Sequence, residues 1–153
     1  MAISRGAGTE IIRTVHYHYD GSNTTAQTLI FGEQHHIYTV LSIVCFADYA
    51  TSSSNDFLQV YLSALDGLDG ASGRNIYLFN TGSTSGQQTF VWNDKFSFNG
   101  YEATGFSGGL NTIAEQNAIA DQGSSTAQNL YMIKGHSNDK WMVTCTYIDQ
   151  NNE

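Results

Sequence analysis

The sequence predicts an all-β fold, an antiparallel β-sandwich or jelly roll of about eight strands, with one long loop or short-helix excursion near residues 99–128. Short runs of alternating apolar and polar residues recur at fairly even spacing, as in strands with one buried face. Clusters of Gly, Ser, Asn and Asp separate these runs. The alternation of strands and helices that builds parallel sheets is not visible. We expect one domain over residues 10–149, preceded by an N-terminal arm over residues 1–9.

The first half of the chain predicts long strands. Residues 10–19 alternate strictly, and residues 24–31 resume an extended run after the turn-forming cluster Asp20-Gly21-Ser22-Asn23, so a hairpin is the simple interpretation. Residues 36–48 are apolar on both faces, which places this strand in the centre of a sandwich or barrel, or under another subunit. Residues 56–64 form the next strand, with one apolar and one wet face.

The second half predicts shorter strands. Residues 76–79 form one strand, and residues 87–98 split at Asn93-Asp94 into two. Residues 99–128 are punctuated by glycine, and helical spacing within them predicts one short helix. Residues 130–133 and 140–149 give the last strands.

The charge balance excludes two classes of partner. The net charge is −8 with six Lys and Arg, so the clustered cations that bind nucleic-acid phosphates are missing. The same sign disfavours an anionic membrane surface, and no apolar run approaches the roughly 18 residues that span a bilayer. Residues 1–8 lack the apolar core of a signal peptide, so we expect synthesis in a cytoplasm. Neither nucleic acid nor a membrane is expected as a partner.

The two cysteines, Cys45 and Cys145, both lie in alternating apolar runs. A free thiol in such a setting behaves as a small buried hydrophobe, so we predict that both are reduced packing residues. A disulfide between two neighbouring strands is the alternative.

Histidines give the strongest indication of an enzyme. His16 and His18 project to one side of a strand, and His35-His36 could add a third ligand to a zinc or iron site. A cupin-like site also needs a nearby carboxylate, but Asp20 falls in the predicted turn and His136 in another loop. We therefore predict histidines that face solvent or an interface.

No other constellation indicates catalysis. The serines fall in turns without a nucleophile elbow, and no cysteine lies in an electropositive setting. Asp66 and Asp69 lie in a loop rich in Asp-Gly steps that lacks the distal Glu of a calcium loop, which leaves a surface cation as the alternative. We predict a protein that is not an enzyme, with no catalytic residues, no resident metal and no cofactor.

Four segments carry a resemblance to a known family. They are residues 37–46 (IYTVLSIVCF), 57–62 (FLQVYL), 89–98 (TFVWNDKFSF) and 142–148 (MVTCTYI). They resemble the small β-sandwich virion proteins of tailed bacteriophages, in particular capsid decoration (cement) proteins and related tail components. The resemblance implies a multicopy, non-enzymatic virion component, commonly a homotrimer, assembled in the bacterial host cytoplasm. Its partner would be the major capsid protein or the tail. The excursion over residues 99–128 departs from the simplest members.

The arm and the first residue of the domain supply the predicted partner contacts. A Gly-punctuated arm that orders on a partner would place Ile3, Arg5 and Glu10 at the interface. A tail or fibre-attachment component is one alternative to capsid decoration. A lectin-like module that binds host glycans is another, and exposed Tyr or Trp side chains would favour it. We expect most aromatic residues to pack the core from their strands, since only Tyr101 and Phe106 fall in predicted loops.

Overall fold

The computed structural model describes residues 8–51, 56–65, 73–101 and 126–151. Within these ranges the chain forms nine strands and no helix, so no helix there is long and apolar enough to cross a membrane. The strands are β1 Glu10–Tyr19, β2 Gln27–Ile30, β3 His36–Tyr49, β4 Leu58–Leu65, β5 Gly73–Asn80, β6 Gln88–Trp92, β7 Phe96–Asn99, β8 Leu130–Lys134 and β9 Lys140–Asn151. The predicted all-β sandwich is confirmed. Most of the predicted N-terminal arm and most of the predicted excursion over residues 99–128 lie outside the described residues.

The strands pair into two antiparallel sheets. The five-stranded sheet has the order β1-β9-β3-β6, with β7 also paired to β3, and the four-stranded sheet has the order β2-β8-β4-β5. With 14 residues, β3 is long enough to pair with β9 along one side and with β6 and β7 in succession along the other. The predicted break at Asn93-Asp94 is the short connection between β6 and β7.

The predicted hairpin between residues 10–19 and 24–31 is wrong. β1 pairs with β9 in the five-stranded sheet, whereas β2 pairs with β8 in the four-stranded sheet. The turn between them, where Gly21 has a φ of 74°, leads the chain from one sheet to the other. The reason is tertiary, because β9 offers a partner to every residue of β1.

The core lies between the sheets and is built from the inward-facing residues of their central strands. Leu58, Val60 and Leu62 of β4 are buried, while the alternating Gln59 and Tyr61 are half-buried, as the predicted wet face requires. The opposite layer comes mainly from β3 and β9, and its fully buried members are Val40, Ile43, Cys45, Ala47, Trp141, Val143 and Cys145.

Both cysteines belong to this core as free thiols. Cys45 lies opposite Val143, and Cys145 lies opposite Ile43, so the two thiols are diagonal neighbours on paired strands. Burial raises the pKa of each thiol to about 12, which disfavours the thiolate. The prediction of reduced packing residues agrees with this geometry.

Candidate functional site

The outer side of the five-stranded sheet carries apolar side chains that the core does not use. Its central strand β3 has one face buried in the core, whereas Val44 and Phe46 on the opposite face are half-buried. Val44 lies opposite Val91 of β6, which is 61% exposed. Along the edge of the sheet, Ile12 is 70% exposed opposite Ile148. We call Ile12, Val44, Phe46, Val91, Met142 and Ile148 the outer apolar face.

Hydroxyl and imidazole side chains link the strands between these apolar positions. The hydroxyl oxygens of Thr14 and Thr146 are 3.2 Å apart, and those of Thr39 and Ser97 are 2.8 Å apart. These cross-strand pairs fix the rotamers of the outer surface and support the register of the sheet. The result is a broad, ordered surface rather than a cleft.

One margin of this surface is the edge strand β1. It is ten residues long, and among the described residues it pairs with β9 alone. Ile11, at the start of β1, is 46% exposed, so this edge offers apolar side chains as well as backbone groups. Of the predicted partner contacts, Glu10 begins β1 as an exposed residue, while Ile3 and Arg5 lie outside the described residues.

A polar network closes the sandwich beside β1. Asp149 of β9 accepts a hydrogen bond from Arg13 Nε at 2.8 Å and lies 2.6 Å from Nδ1 of His36. The Glu33 carboxylate is 3.7 Å from Nε2 of the same histidine. The bond to Asp149, together with its charge, raises the pKa of the Arg13 guanidinium. A cavity of about 240 Å³ opens here, lined in part by Arg13, Tyr38 and Asp149.

The histidines that suggested a metal site do not converge. Nδ1 of His16 lies 2.8 Å from the hydroxyl of Thr144, and His18 lies 4.0 Å from Asp20, with both pairs on the exposed side of β1. His36 pairs with Asp149 near the opposite end of β9, about 23 Å further along the strand direction. The prediction of solvent-facing histidines therefore agrees with His16 and His18, whereas His36 has a structural partner.

A row of tyrosines crosses the outer face of the four-stranded sheet. Tyr61 stacks on Tyr131 with ring centroids 5.4 Å apart, and on its other side it contacts Tyr77 at 5.6 Å. Tyr77 is 58% exposed. These three are exceptions to the expectation that most strand aromatics pack the core, because they occupy the outward-facing positions of their strands. Tyr101 forms an isolated bridge with Ala127, and Phe106 lies outside the described residues.

One cluster of possible metal ligands is not predicted from the sequence. Among the described residues, one group of three or more His, Cys, Asp or Glu side chains brings one ligand atom from each within 4.8 Å of the others, and it consists of Asp56, His136 and Asp139. Asp56 and Asp139 are fully buried. The spacing of His136 and Asp139 within one turn was the available signal, but the turn composition favoured a solvent-exposed loop. Asp66 and Asp69, the alternative cation ligands, lie outside the described residues.

No protein-family model matches the sequence, and no curated protein matches it. Among solved structures, the chain is similar to one from a study entitled "Bacillus endospore appendages form a novel family of disulfide-linked pili". The alignment covers 100% of this chain and 97% of that chain, with 13% sequence identity and a TM-score of 0.43. Similarity at this level assigns no function.

Proposed function

We propose that this chain is a non-enzymatic structural subunit of a bacteriophage virion, a capsid decoration protein that binds its partners through the outer apolar face. The observation that carries the proposal is β3, a central strand that is apolar on both faces but has only one of them in the core. Apolar side chains left half-exposed in the middle of a sheet are typical of a surface that another subunit covers.

The composition of this surface supports an interface. The outward-facing positions 12–18 of β1, 142–148 of β9, 39–46 of β3 and 89–91 of β6 carry apolar, hydroxyl or imidazole side chains and no Lys, Arg, Asp or Glu. The chain as a whole carries 14 Asp and Glu, so its charge is concentrated elsewhere. Depletion of charged residues is the compositional mark of an interface core.

The bacteriophage part of the proposal depends on the sequence resemblance. Its four segments form the middle of β3, most of β4, most of β6 and β7 with their connection, and the middle of β9. These elements build the core and the outer apolar face together. A multicopy subunit that binds neighbouring capsomers stabilises the shell by mass action, as any ligand of the assembled state does. The proposed partners remain other copies of the chain in a homotrimer, together with the major capsid protein or tail proteins.

The test compares a pair of exposed positions in the five-stranded sheet with one exposed position in the four-stranded sheet. The double variant Ile12→Lys, Val91→Lys places charge on the outer apolar face at positions exposed enough to keep the fold. Its matched control is Ile76→Lys, which changes an isoleucine that is 49% exposed on β5, in the other sheet. The measurements are the oligomeric state by light scattering and binding to expanded capsids of the phage whose genome encodes the chain.

We expect the wild-type chain and the Ile76→Lys control to bind capsids in many copies, and the double variant to bind at least about 10-fold more weakly, since a buried unpaired charge is strongly unfavourable. Equal binding by all three proteins would contradict the proposal that the outer apolar face binds the capsid. Antibody labelling confined to one vertex or to the tail of intact virions would replace capsid decoration with the tail-component alternative.

The tyrosine row favours a second candidate, a module that binds host glycans. Aromatic faces stack on sugar rings, and Tyr61, Tyr77 and Tyr131 form a continuous aromatic strip on an outer surface. Under this hypothesis Tyr77→Ala abolishes glycan binding in saturation-transfer NMR while the Ile12→Lys, Val91→Lys variant keeps it. Capsid binding with the opposite pattern of effects would favour the structural subunit.

A further inference from the structure

The cluster of Asp56, His136 and Asp139 lies at the end of the sandwich where β4 begins and β9 begins. Asp56 comes two residues before β4, and the two other residues lie in the loop that joins β8 in one sheet to β9 in the other. One ligand atom from each side chain lies within 4.8 Å of the others. Asp56 and Asp139 are fully buried and His136 is half-buried, so the imidazole is the most solvent-accessible of the three side chains.

Asp139 stands out because neither of its carboxylate oxygens accepts a hydrogen bond, although both are buried. An unpartnered buried carboxylate is rare in a native fold because removing it from water costs several kcal/mol. Burial and the charge of Asp56 raise the pKa of Asp139. The imidazole of His136, the Thr51 amide and the charge of Lys134 act in the opposite direction. The Thr51 amide makes no hydrogen bond of ordinary geometry to the carboxylate.

The buried cation nearby, Lys134, makes no hydrogen bond to this carboxylate. Nζ of Lys134 donates to three main-chain oxygens, those of Gly21 at 2.7 Å, Ser137 at 3.3 Å and Asp139 at 2.7 Å. These three bonds use all the hydrogens of the ammonium group. Lys134 therefore acts on the Asp139 carboxylate through its charge, and the two carboxylate oxygens are left without a hydrogen-bond donor.

Asp56, in contrast, is held in place by its neighbours. The hydroxyl of Thr51 lies 2.9 Å and 2.8 Å from the two carboxylate oxygens of Asp56. The main-chain oxygen of Asp56 accepts the amide hydrogen of Thr84 at 2.9 Å. A ligand oriented by an outer hydrogen bond is the usual arrangement at metal sites. One aspartate is thus oriented and the other unpartnered, within reach of the same point.

We propose that Asp56, His136 and Asp139 form a structural site for a divalent cation, with zinc as the occupant. Two carboxylate oxygens and one imidazole nitrogen are a donor set that zinc accepts, and the nitrogen ligand disfavours calcium and magnesium. A divalent ion neutralises both carboxylates and joins the β8–β9 loop to the start of β4. The ion would thereby link the two sheets of the sandwich. This role does not depend on whether the chain binds a capsid or a glycan.

The competing arrangement is a closed hydrogen-bond cluster. Nδ1 of His136 accepts the amide hydrogen of Asn138 at 3.2 Å, which leaves Nε2 as the protonated nitrogen of a neutral ring. In that arrangement the Nε2 hydrogen, or a water molecule, would satisfy the aspartates. Cation binding costs the ring this one long hydrogen bond, and the two arrangements make opposite predictions for the Asp139→Asn variant.

The experiment uses the full-length chain stripped with EDTA and then titrated with ZnCl₂, MnCl₂ or CaCl₂. We expect one zinc ion per chain by calorimetry, and a rise in unfolding temperature of about 5–10 °C at a 100-fold excess of zinc over its dissociation constant. Manganese should give a smaller shift and calcium none. A response to calcium without one to zinc would overturn the assignment of a nitrogen-ligated zinc site.

Variants locate the ion. His136→Gln and Asp139→Asn should abolish the zinc response, while the matched control His18→Gln, on the exposed side of β1, should keep it. Thr51→Val, which removes the hydrogen bond to Asp56, should weaken zinc binding about 10- to 100-fold. A zinc response that survives both ligand variants would place the ion elsewhere and overturn the proposal.

Asp139→Asn in metal-free buffer separates the site from a closed hydrogen-bond cluster. Because the amide removes an unpartnered buried charge, we expect an unfolding temperature equal to or above that of the wild type, together with loss of the zinc response. A lower unfolding temperature in metal-free buffer, with no zinc response from the wild type, would mean that the carboxylate already has its partners within the protein. That result would overturn the metal site and leave the proposed virion role untouched.

Discussion

The two ends of strand β9 each carry a buried aspartate, and the two residues have different surroundings. At the C-terminal end, Asp149 pairs with Arg13 at 2.8 Å and with His36 at 2.6 Å. At the N-terminal end, Asp139 just precedes the strand and has no hydrogen-bond partner for its carboxylate. Lys134, the buried cation nearby, bonds main-chain oxygens instead.

This difference shows that burial alone does not say how a charge is accommodated. Asp149 is stabilised by side chains from β1 and β3, the two strands that flank it in the same sheet. Asp139 lies in a loop between the sheets, where Lys134 of β8 acts on it through charge and no described group donates a hydrogen bond to its carboxylate. Side chains of this chain therefore neutralise and bond the Asp149 carboxylate. The proposed cation would do the same for the Asp139 carboxylate.

The largest expected effect comes from Lys134 at the Asp139 end. Lys134→Met should lower the free energy of unfolding by about 3–5 kcal/mol, because three buried carbonyls lose a charged donor and a buried positive charge disappears next to the aspartates. Lys140→Met, at an exposed position nearby, is the control and should change little. Urea unfolding followed by tryptophan fluorescence measures both. Equal stability of the two variants would refute a structural role for the buried ammonium.

The Asp149 end is also closed sterically, which gives the next largest effect. The amide of Gly100 donates to the main-chain oxygen of His36 at 2.8 Å, and a Cβ on Gly100 would overlap the backbone oxygen of Glu33. Gly100→Ala should lower the free energy of unfolding by about 3 kcal/mol, as overpacking against backbone does. At Gly86 an added Cβ finds ordinary contacts, so Gly86→Ala should change stability by less than about 1 kcal/mol. Chemical denaturation of the two variants would compare them directly.

A matched pair of substitutions tests whether Asp149 and Asp139 differ in their contribution to stability. Asp149→Asn should cost about 1–3 kcal/mol, since it weakens the hydrogen bond from Arg13 and the contact with His36, whereas Asp139→Asn should cost nothing in metal-free buffer. Thermal unfolding after EDTA treatment measures the difference. If both variants lost the same stability, the two ends of β9 would be equivalent and the contrast drawn between them would be wrong.

The smallest expected effect concerns the buried thiols of Cys45 in β3 and Cys145 in β9, and it is measured as reactivity rather than stability. With a pKa raised from 9.0 to about 12, each thiol has at pH 8 a thiolate fraction about 1000-fold below that of a free cysteine. Ellman's reagent should therefore leave the native protein unmodified and react with two thiols per chain in guanidinium chloride. Rapid reaction of the native protein would show that the sheets open locally at β3 and β9.

The strands that period-two patterning marked most clearly are those the structure contains. β1, β3, β4 and β9 fall within one or two residues of their predicted ranges, because alternation in these segments records burial on one face or on both. The hairpin between β1 and β2 failed for a physical reason. Turn residues predict that the chain reverses direction, but they do not predict which strand the next segment pairs with.

The surfaces were less accessible from sequence than the strands. The apolar second face of residues 36–48 predicted either a central position or a covering subunit, and β3 combines a central position with a half-exposed outer face. The tyrosine row was missed because Tyr61, Tyr77 and Tyr131 come from three different strands. Each looks like an ordinary strand aromatic until strand pairing makes them neighbours.

The sequence by itself determined the fold class, the lengths of the main strands and the burial of both cysteines. These depend on local alternation, which each segment carries within itself. Only the tertiary structure decided which strands are neighbours, and it thereby brought Asp56 against His136 and Asp139, about 80 residues away in sequence. A cluster assembled across two sheets leaves no periodic trace in the sequence, because its members meet through strand order rather than through spacing.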